Sequence, residues 1–174
     1  MKKAFVIFDR DGTLIEHVHH LVDPSLVEIK RDLGKAVLIL KQSNFGIGIV
    51  SNQSVIGRGL ATQAQVDSVN SMIRSHLNEL NLDFEFIFYC PHQSEDFCRC
   101  RKPQIGLGER AIQEYGLDPS QSYVIGDQES DMVFGKNLGC RTIQLKGNAP
   151  KSAIADYYSE TLEDAANWIV IDSN

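Results

Sequence analysis

Cys90, His92, Cys98 and Cys100 stand within eleven residues and are followed at once by Arg101 and Lys102. Four soft or borderline ligands in a Cys-x-His-x5-Cys-x-Cys pattern can close a tetrahedron around Zn2+ and leave no open position, the mark of a structural metal site. A disulfide framework and free surface thiols are the competing readings. Both fit less well, because Cys140 lies forty residues further on and one of the three clustered thiols would be left without a partner. Cys140 itself, after Leu138 and Gly139 at an apparent helix end, reads as a small buried hydrophobe. A metal clamp over residues 90–103 would hold its loop in shape beside a basic, anion-binding pair.

A second group is acidic. Asp9 and Asp11 stand two residues apart in Asp9-Arg10-Asp11-Gly12-Thr13, directly behind a short apolar run. An Asp-x-Asp is common in solvated loops and says little alone. Here Gly12 permits a tight turn and Asp127 arrives at the end of another such run, so the three carboxylates offer a hard oxygen site suited to Mg2+.

Such groups need a fold that brings distant strand ends together. Apolar runs at residues 4–8, 45–50, 84–89, 122–125 and 142–145 alternate with helical patterns, which predicts an α/β fold: a Rossmann-like parallel sheet with helices on both faces. Leu33, Ala36, Val37 and Leu40 form a helical stripe within residues 32–42. Thr62 and Gln65 make a capping-box pattern that opens a helix running to about residue 80. Residues 106–115 and 129–138 read as helices ended by Gly116 and Gly139, and residues 161–169 as a last helix. Asp9 and Asp11 follow the first strand, Ser51-Asn52-Gln53 the second, Cys90 the third and Asp127 the fourth. Ligands of open parallel sheets bind outside the carboxyl ends of the strands, so these groups are expected to converge on one pocket, as in an enzyme.

At 174 residues and 43% hydrophobic, the chain suits one domain over residues 1–174 with a sizeable core. A net charge of -6 and a pI near 5.3 argue against a general nucleic-acid or anionic-membrane surface, so an anionic substrate must be met by a local basic site. The apolar stretch near the start ends at Asp9-Arg10-Asp11, too soon for a signal peptide. No segment approaches the ~18 apolar residues of a membrane span. A cytoplasmic monomer is expected, in a compartment where thiols stay reduced and open to metal.

Asp9-Arg10-Asp11-Gly12-Thr13, Ser51-Asn52, Lys102 and Gly126-Asp127 with Asp131 resemble, in order, the four motifs of the haloacid dehalogenase-like phosphatases, over roughly residues 5–145. The resemblance implies Asp9 as nucleophile, forming an aspartyl-phosphate, and Asp11 as the acid that protonates the leaving alkoxide and then the base that activates water. It implies Mg2+ on the Asp9 and Asp127 carboxylates and the Asp11 main-chain carbonyl. Ser51 and Lys102 would hold the phosphoryl oxygens, and Arg101 would meet a second phosphate or a sugar hydroxyl.

Cys90-Pro91-His92 and Cys98-Arg99-Cys100-Arg101-Lys102-Pro103 are similar to both the D-glycero-D-manno-heptose 1,7-bisphosphate phosphatases and the related histidinol-phosphate phosphatases. The short spacer at residues 93–97 looks more like the histidinol type. Ser51-Asn52-Gln53-Ser54, Ile56, Arg58-Gly59, Thr62 and Gln65 look more like the heptose type, and this longer run carries more weight. Two positions depart from the heptose pattern: Val55 replaces its usual glycine, and Gln128 its usual lysine. The resemblance thus implies removal of the C7 phosphate from a heptose bisphosphate, with L-histidinol phosphate as the alternative substrate and a non-catalytic zinc module as a remote one. Thr13, His17, His20, Asn52, Gln53, Ser54, Arg58 and Arg101 are the candidate substrate contacts. The histidines of Glu16-His17-Val18-His19-His20 are open to either a sugar-phosphate contact or simple exposure. The short connections leave no room for a large cap domain, so selectivity would fall to loops at residues 16–21, 55–60 and 90–103.

Overall fold

The structure, a computed structural model, describes residues 2–18, 21 and 23–173. Six strands, β1 (Phe5–Phe8), β2 (Gly46–Asn52), β3 (Phe86–Cys90), β4 (Tyr123–Gly126), β5 (Arg141–Leu145) and β6 (Tyr157–Ser159), form one sheet in the order β3-β2-β1-β4-β5-β6. Every pairing is parallel. The five expected apolar runs all become strands, with ends displaced by a residue or two. The expected α/β architecture is the one observed.

Period-two alternation divides the strand side chains between two cores. Val6, Phe8, Ile47, Ile49, Ile125 and Ile143 pack on one face with α1 (Leu33–Gln42), α2 (Gln63–Asn78) and α5 (Leu162–Asp172). Phe5, Ile7, Phe86, Phe88 and Val124 pack on the other with α3 (Gly106–Tyr115) and α4 (Glu129–Leu138). Strands buried on both faces need apolar residues at nearly every position, which is why they appear in the sequence as unbroken runs. Each such side chain contributes roughly 1.5–3 kcal/mol by leaving water. The Thr62–Gln65 capping box forms as expected, and α3 and α4 stop at Gly116 and Gly139.

β6 lies outside the expected strands. Its three residues, Tyr-Tyr-Ser, lack an apolar run; they extend by pairing with β5, and Tyr157 stacks on Trp168 of α5 at a centroid distance of 4.7 Å. The functional consequence of the strand order lies at its centre. β1 has β2 on one side and β4 on the other, so the connections leave in opposite directions there and open a crevice at the strand carboxyl ends.

Candidate active site

Asp9, immediately after β1, is the focus of that crevice. Lys102 reaches it from the Cys/His loop: its Nζ donates to Asp9 Oδ1 at 2.6 Å and to the Val50 carbonyl at 2.6 Å, and lies 2.7 Å from Asp131 Oδ1. The Lys102 side chain is only 3% exposed, so this ammonium exchanges its water shell for carboxylates and a carbonyl. Burial alone would lower its pKa, but Asp131 and Asp9 hold it well above the usual lysine range. Burial pushes Asp9 up to about 7, with Asp131 and Asp11 adding to the rise and Lys102 opposing it.

Asp127 completes the group. Oxygens of Asp9, Asp127 and Asp131 all lie within 4.8 Å of one another. Burial raises the Asp127 carboxyl, against a hydrogen bond from Gln128 Nε2 to Oδ2 at 2.5 Å. Its Oδ1 is buried and has no hydrogen-bond partner among the described residues. Three carboxylates against one ammonium leave two negative charges when ionised, and one Asp127 oxygen is buried with no partner among the described residues. That donor set fits a divalent oxygen-seeking cation such as Mg2+. Gly12 lets the groups approach: its φ is +82°, and a Cβ there would sit 2.7 Å from Asp127 Oδ2. Asp131, named in the sequence only as part of a motif, has two tasks. Oδ1 holds Lys102, while Oδ2 accepts from the Gln128 amide and caps α4. Both members of this buried ion pair were thus named in the sequence as motif residues, but the pairing between them was not.

Asn52 ties the crevice to the loop. Its Nδ2 donates to the Lys102 carbonyl at 3.1 Å and its Oδ1 accepts from the Lys102 amide at 2.9 Å. Ser51 is buried, with Oγ accepting from Gln53 Nε2 at 3.3 Å. Thr13 is fully buried and its hydroxyl has no hydrogen-bond partner among the described residues. Arg10, 1% exposed, grips both oxygens of Asp11 and also reaches Gln53 and Asn70, a network that sequence reasoning missed because a single arginine beside an aspartate reads as a surface charge.

Two cavities flank the crevice, and both are lined by Asn52. One, of about 460 Å3, is walled by the Cys/His loop and includes Arg99, Arg101, Lys102 and the exposed Phe97, whose φ is +47°. The other, of about 180 Å3, is lined by Asp11, His17, Gln53, Ser54 and Val55 among others. Arg58 lies on an exposed turn and lines neither. His20 and His19 fall outside the described residues.

Cys90, His92, Cys98 and Cys100 also come together. The Cys100 sulfur lies 3.1 Å from that of Cys90 and 3.4 Å from that of Cys98, and Cys90 and Cys98 are 3.6 Å apart. His92 Nδ1 is 3.2 Å from the Cys100 sulfur and 3.6 Å from that of Cys90. All four cysteines are free thiols. These separations are on the scale of the edges of a tetrahedron with metal–sulfur bonds of ~2.3 Å, so the donors fit zinc. Burial pushes the Cys90 thiol up. At Cys98 burial acts in the same sense, but hydrogen bonds from Cys100 and the Arg101 amide bring the thiol down to about 7.

A parallel sheet with a buried aspartate, a buried lysine and further carboxylates at its central crevice is the arrangement of a haloacid dehalogenase-like phosphatase. Residues 99–168 match the HAD-hydrolase-like family model. The fold superposes on that of D,D-heptose 1,7-bisphosphate phosphatase from B. bronchiseptica, complexed with magnesium and phosphate, with a TM-score of 0.88 at 22% identity over 97% of this chain and 99% of that one. The chain is 35% identical to the D-glycero-beta-D-manno-heptose-1,7-bisphosphate 7-phosphatase of Haemophilus ducreyi over 82% of each protein. It is 36% identical to a Thermoplasma volcanium protein named as a probable D-glycero-D-manno-heptose-1,7-bisphosphate 7-phosphatase, over 79% of this chain and 94% of that one. The chain therefore belongs to the D-glycero-D-manno-heptose 1,7-bisphosphate phosphatase family, and it is a phosphatase. The histidine biosynthesis bifunctional protein HisB of Baumannia cicadellinicola is 32% identical over 90% of this chain, which spans only 45% of that protein.

Proposed function

We propose that the protein is a Mg2+-dependent phosphomonoesterase that removes the C7 phosphate of D-glycero-D-manno-heptose 1,7-bisphosphate through an aspartyl-phosphate. The observation that carries this reading is the buried Asp9 carboxylate, held by Lys102 and facing Asp127 at the sheet's central crevice. The Asp9 and Asp127 carboxylates and the Asp11 main-chain carbonyl would hold Mg2+, which when bound cancels charge repulsion between carboxylate and phosphate. Cys90, His92, Cys98 and Cys100 would hold a structural Zn2+.

Asp9 attacks phosphorus while Asp11 delivers a proton to the departing alkoxide; Asp11 then takes a proton from the water that hydrolyses the acyl-phosphate. Lys102 and Ser51 stabilise charge on the phosphoryl oxygens, and pre-placed charge of this kind is where phosphoryl-transfer enzymes gain most of their rate. Both flanking cavities are open to the remainder of the sugar. The larger one, with Arg99 and Arg101, suits the second phosphate; the smaller one, with His17, Gln53 and Ser54, suits hydroxyls. Asn52, which lines both cavities, is a further candidate contact; Thr13 is buried and Arg58 lines neither cavity, so this reading gives them no substrate role. One chain of 174 residues supplies the whole site, which suits a monomeric single domain, and reduced thiols suit a cytoplasmic setting.

Asp9→Asn is expected to lower kcat on an aryl phosphate by about 10^4-fold or more while circular dichroism stays unchanged. Equal activity in the two proteins removes Asp9 as nucleophile. For the substrate, kcat/KM on both heptose bisphosphate anomers is compared with that on L-histidinol phosphate, because discrimination is a ratio of transition-state affinities. A roughly tenfold preference for histidinol phosphate would reverse the assignment.

A further inference from the structure

Arg10 is the largest side chain among those fully buried in the described residues, yet it follows Asp9 directly and its guanidinium enters a polar cluster. Its Nε donates to Asp11 Oδ2 at 3.0 Å and its Nη2 to Asp11 Oδ1 at 3.0 Å, a two-pronged grip that sets the plane of the carboxylate. Nη2 donates again to Gln53 Oε1 at 2.8 Å, and Nη1 to Asn70 Oδ1 at 3.0 Å. Gln53 Nε2 closes the ring on Asp11 Oδ2 at 2.7 Å. Asn70 belongs to α2, is 6% exposed and accepts from Arg10 Nη1, so a helix on one sheet face braces a group at the crevice.

We propose that Arg10, braced by Asn70, is the positioning residue for Asp11, and that the clamp assigns proton transfer to Oδ1. This rests on Asp11 acting as acid and base. A carboxylate oxygen offers two lone pairs. Oδ2 spends both, on Arg10 Nε and Gln53 Nε2, whereas Oδ1 accepts only Arg10 Nη2 among the described residues. The remaining Oδ1 lone pair carries the exchangeable proton. In the first half-reaction the bond from Asp9 to phosphorus forms, the phosphorus–alkoxide bond breaks, and the Oδ1 proton moves to the alkoxide oxygen. In the second, Oδ1 takes a proton as water oxygen bonds to phosphorus and the Asp9–phosphorus bond breaks. Arg10, Gln53 and Asn70 exchange no protons; they hold the carboxylate at one angle.

A positioning defect should depend on how much the leaving group needs an acid. The test compares kcat/KM, which reports the first half-reaction, on an alkyl phosphate such as heptose bisphosphate and on 2,4-dinitrophenyl phosphate, whose leaving group departs without a proton. For Asn70→Ala we expect about a tenfold loss on the alkyl ester and none on the dinitrophenyl ester, since general acid catalysis contributes about 10^2–10^4-fold in full. Asn70→Asp keeps an acceptor for Arg10 and is expected to restore the alkyl rate; it also serves if the alanine variant does not fold. Asp11→Asn, the control, should show the same selectivity more strongly. If Asp11→Asn is selective but Asn70→Ala loses both esters equally, or neither, the clamp is only structural. If Asp11→Asn loses both esters equally, the acid role of Asp11 fails and the inference falls with it.

Discussion

The carboxylate centre and the thiol cluster are joined by one loop, which carries the thiols and ends at Lys102, yet they are built in opposite ways. Asp9, Lys102, Asp127 and Asp131 come from four places in the chain and meet only because β1 and β4 are neighbours and Lys102 is delivered between them. Cys90, His92, Cys98 and Cys100 come from a single stretch of eleven residues. The first group is buried and held by charge; the second is only partly buried, with Cys90 inside, Cys98 and Cys100 half-buried and His92 exposed, and is closed by its own donors. A site assembled by topology depends on the whole sheet. A site assembled locally would depend on the metal proposed for it, and here its loop supplies the backbone from which Lys102 reaches inward.

The largest expected effect is at the meeting point. Lys102→Met leaves Asp9 and Asp131 buried without their cation, and breaking one partner of a buried pair costs about 3–5 kcal/mol. Urea denaturation should show that loss together with loss of kcat; a variant as stable as wild type would mean that the pair is not what holds the crevice.

Acid–base titration separates the two regions next. Asp9 is held at about 7 in the folded, metal-free protein, against an ordinary value of 3.8. The fold therefore binds this proton more tightly than the unfolded chain does. That stabilisation is complete below the unfolded value and is lost as pH rises from there through about 7. Metal-free protein should melt lower at pH 8 than at pH 5, Asp9→Asn should show less of this trend, and added Mg2+ should oppose it. A trend unchanged in Asp9→Asn would place its origin elsewhere.

Zinc removal tests the other region. Stripping the metal with a chelator, or Cys98→Ser, is expected to lower Tm by several degrees, corresponding to a loss of about 2 kcal/mol, with activity falling in parallel. Elemental analysis finding no zinc in freshly purified protein would break this half of the comparison. The smallest effect is expected at Asn52, whose paired hydrogen bonds join the regions. Asn52→Ala should cost about 1 kcal/mol in stability and lower kcat several-fold while zinc content stays at wild-type level. Loss of zinc in this variant would show that the two regions are one unit.

The sequence by itself determined the chemistry of each group and most of the scaffold. Doubly buried strands need continuous apolar residues, so five of six strands were legible; β6 was not, because its three residues extend only against β5 and Trp168. The thiol cluster was legible because its donors are adjacent in the chain, and Asp9, Asp11 and Asp127 because strand ends mark where polar groups emerge. What only the tertiary structure decided is which polar atoms remain free. Asn52 and Gln53, read as substrate contacts, spend hydrogen bonds on Lys102, Arg10 and Asp11; Asp131 holds Lys102; Arg10 and Asn70 brace Asp11 from inside the core. A hydrogen bond depends on distance and angle between residues far apart in sequence, and those are fixed by how helices seat on the sheet, which no local spacing encodes.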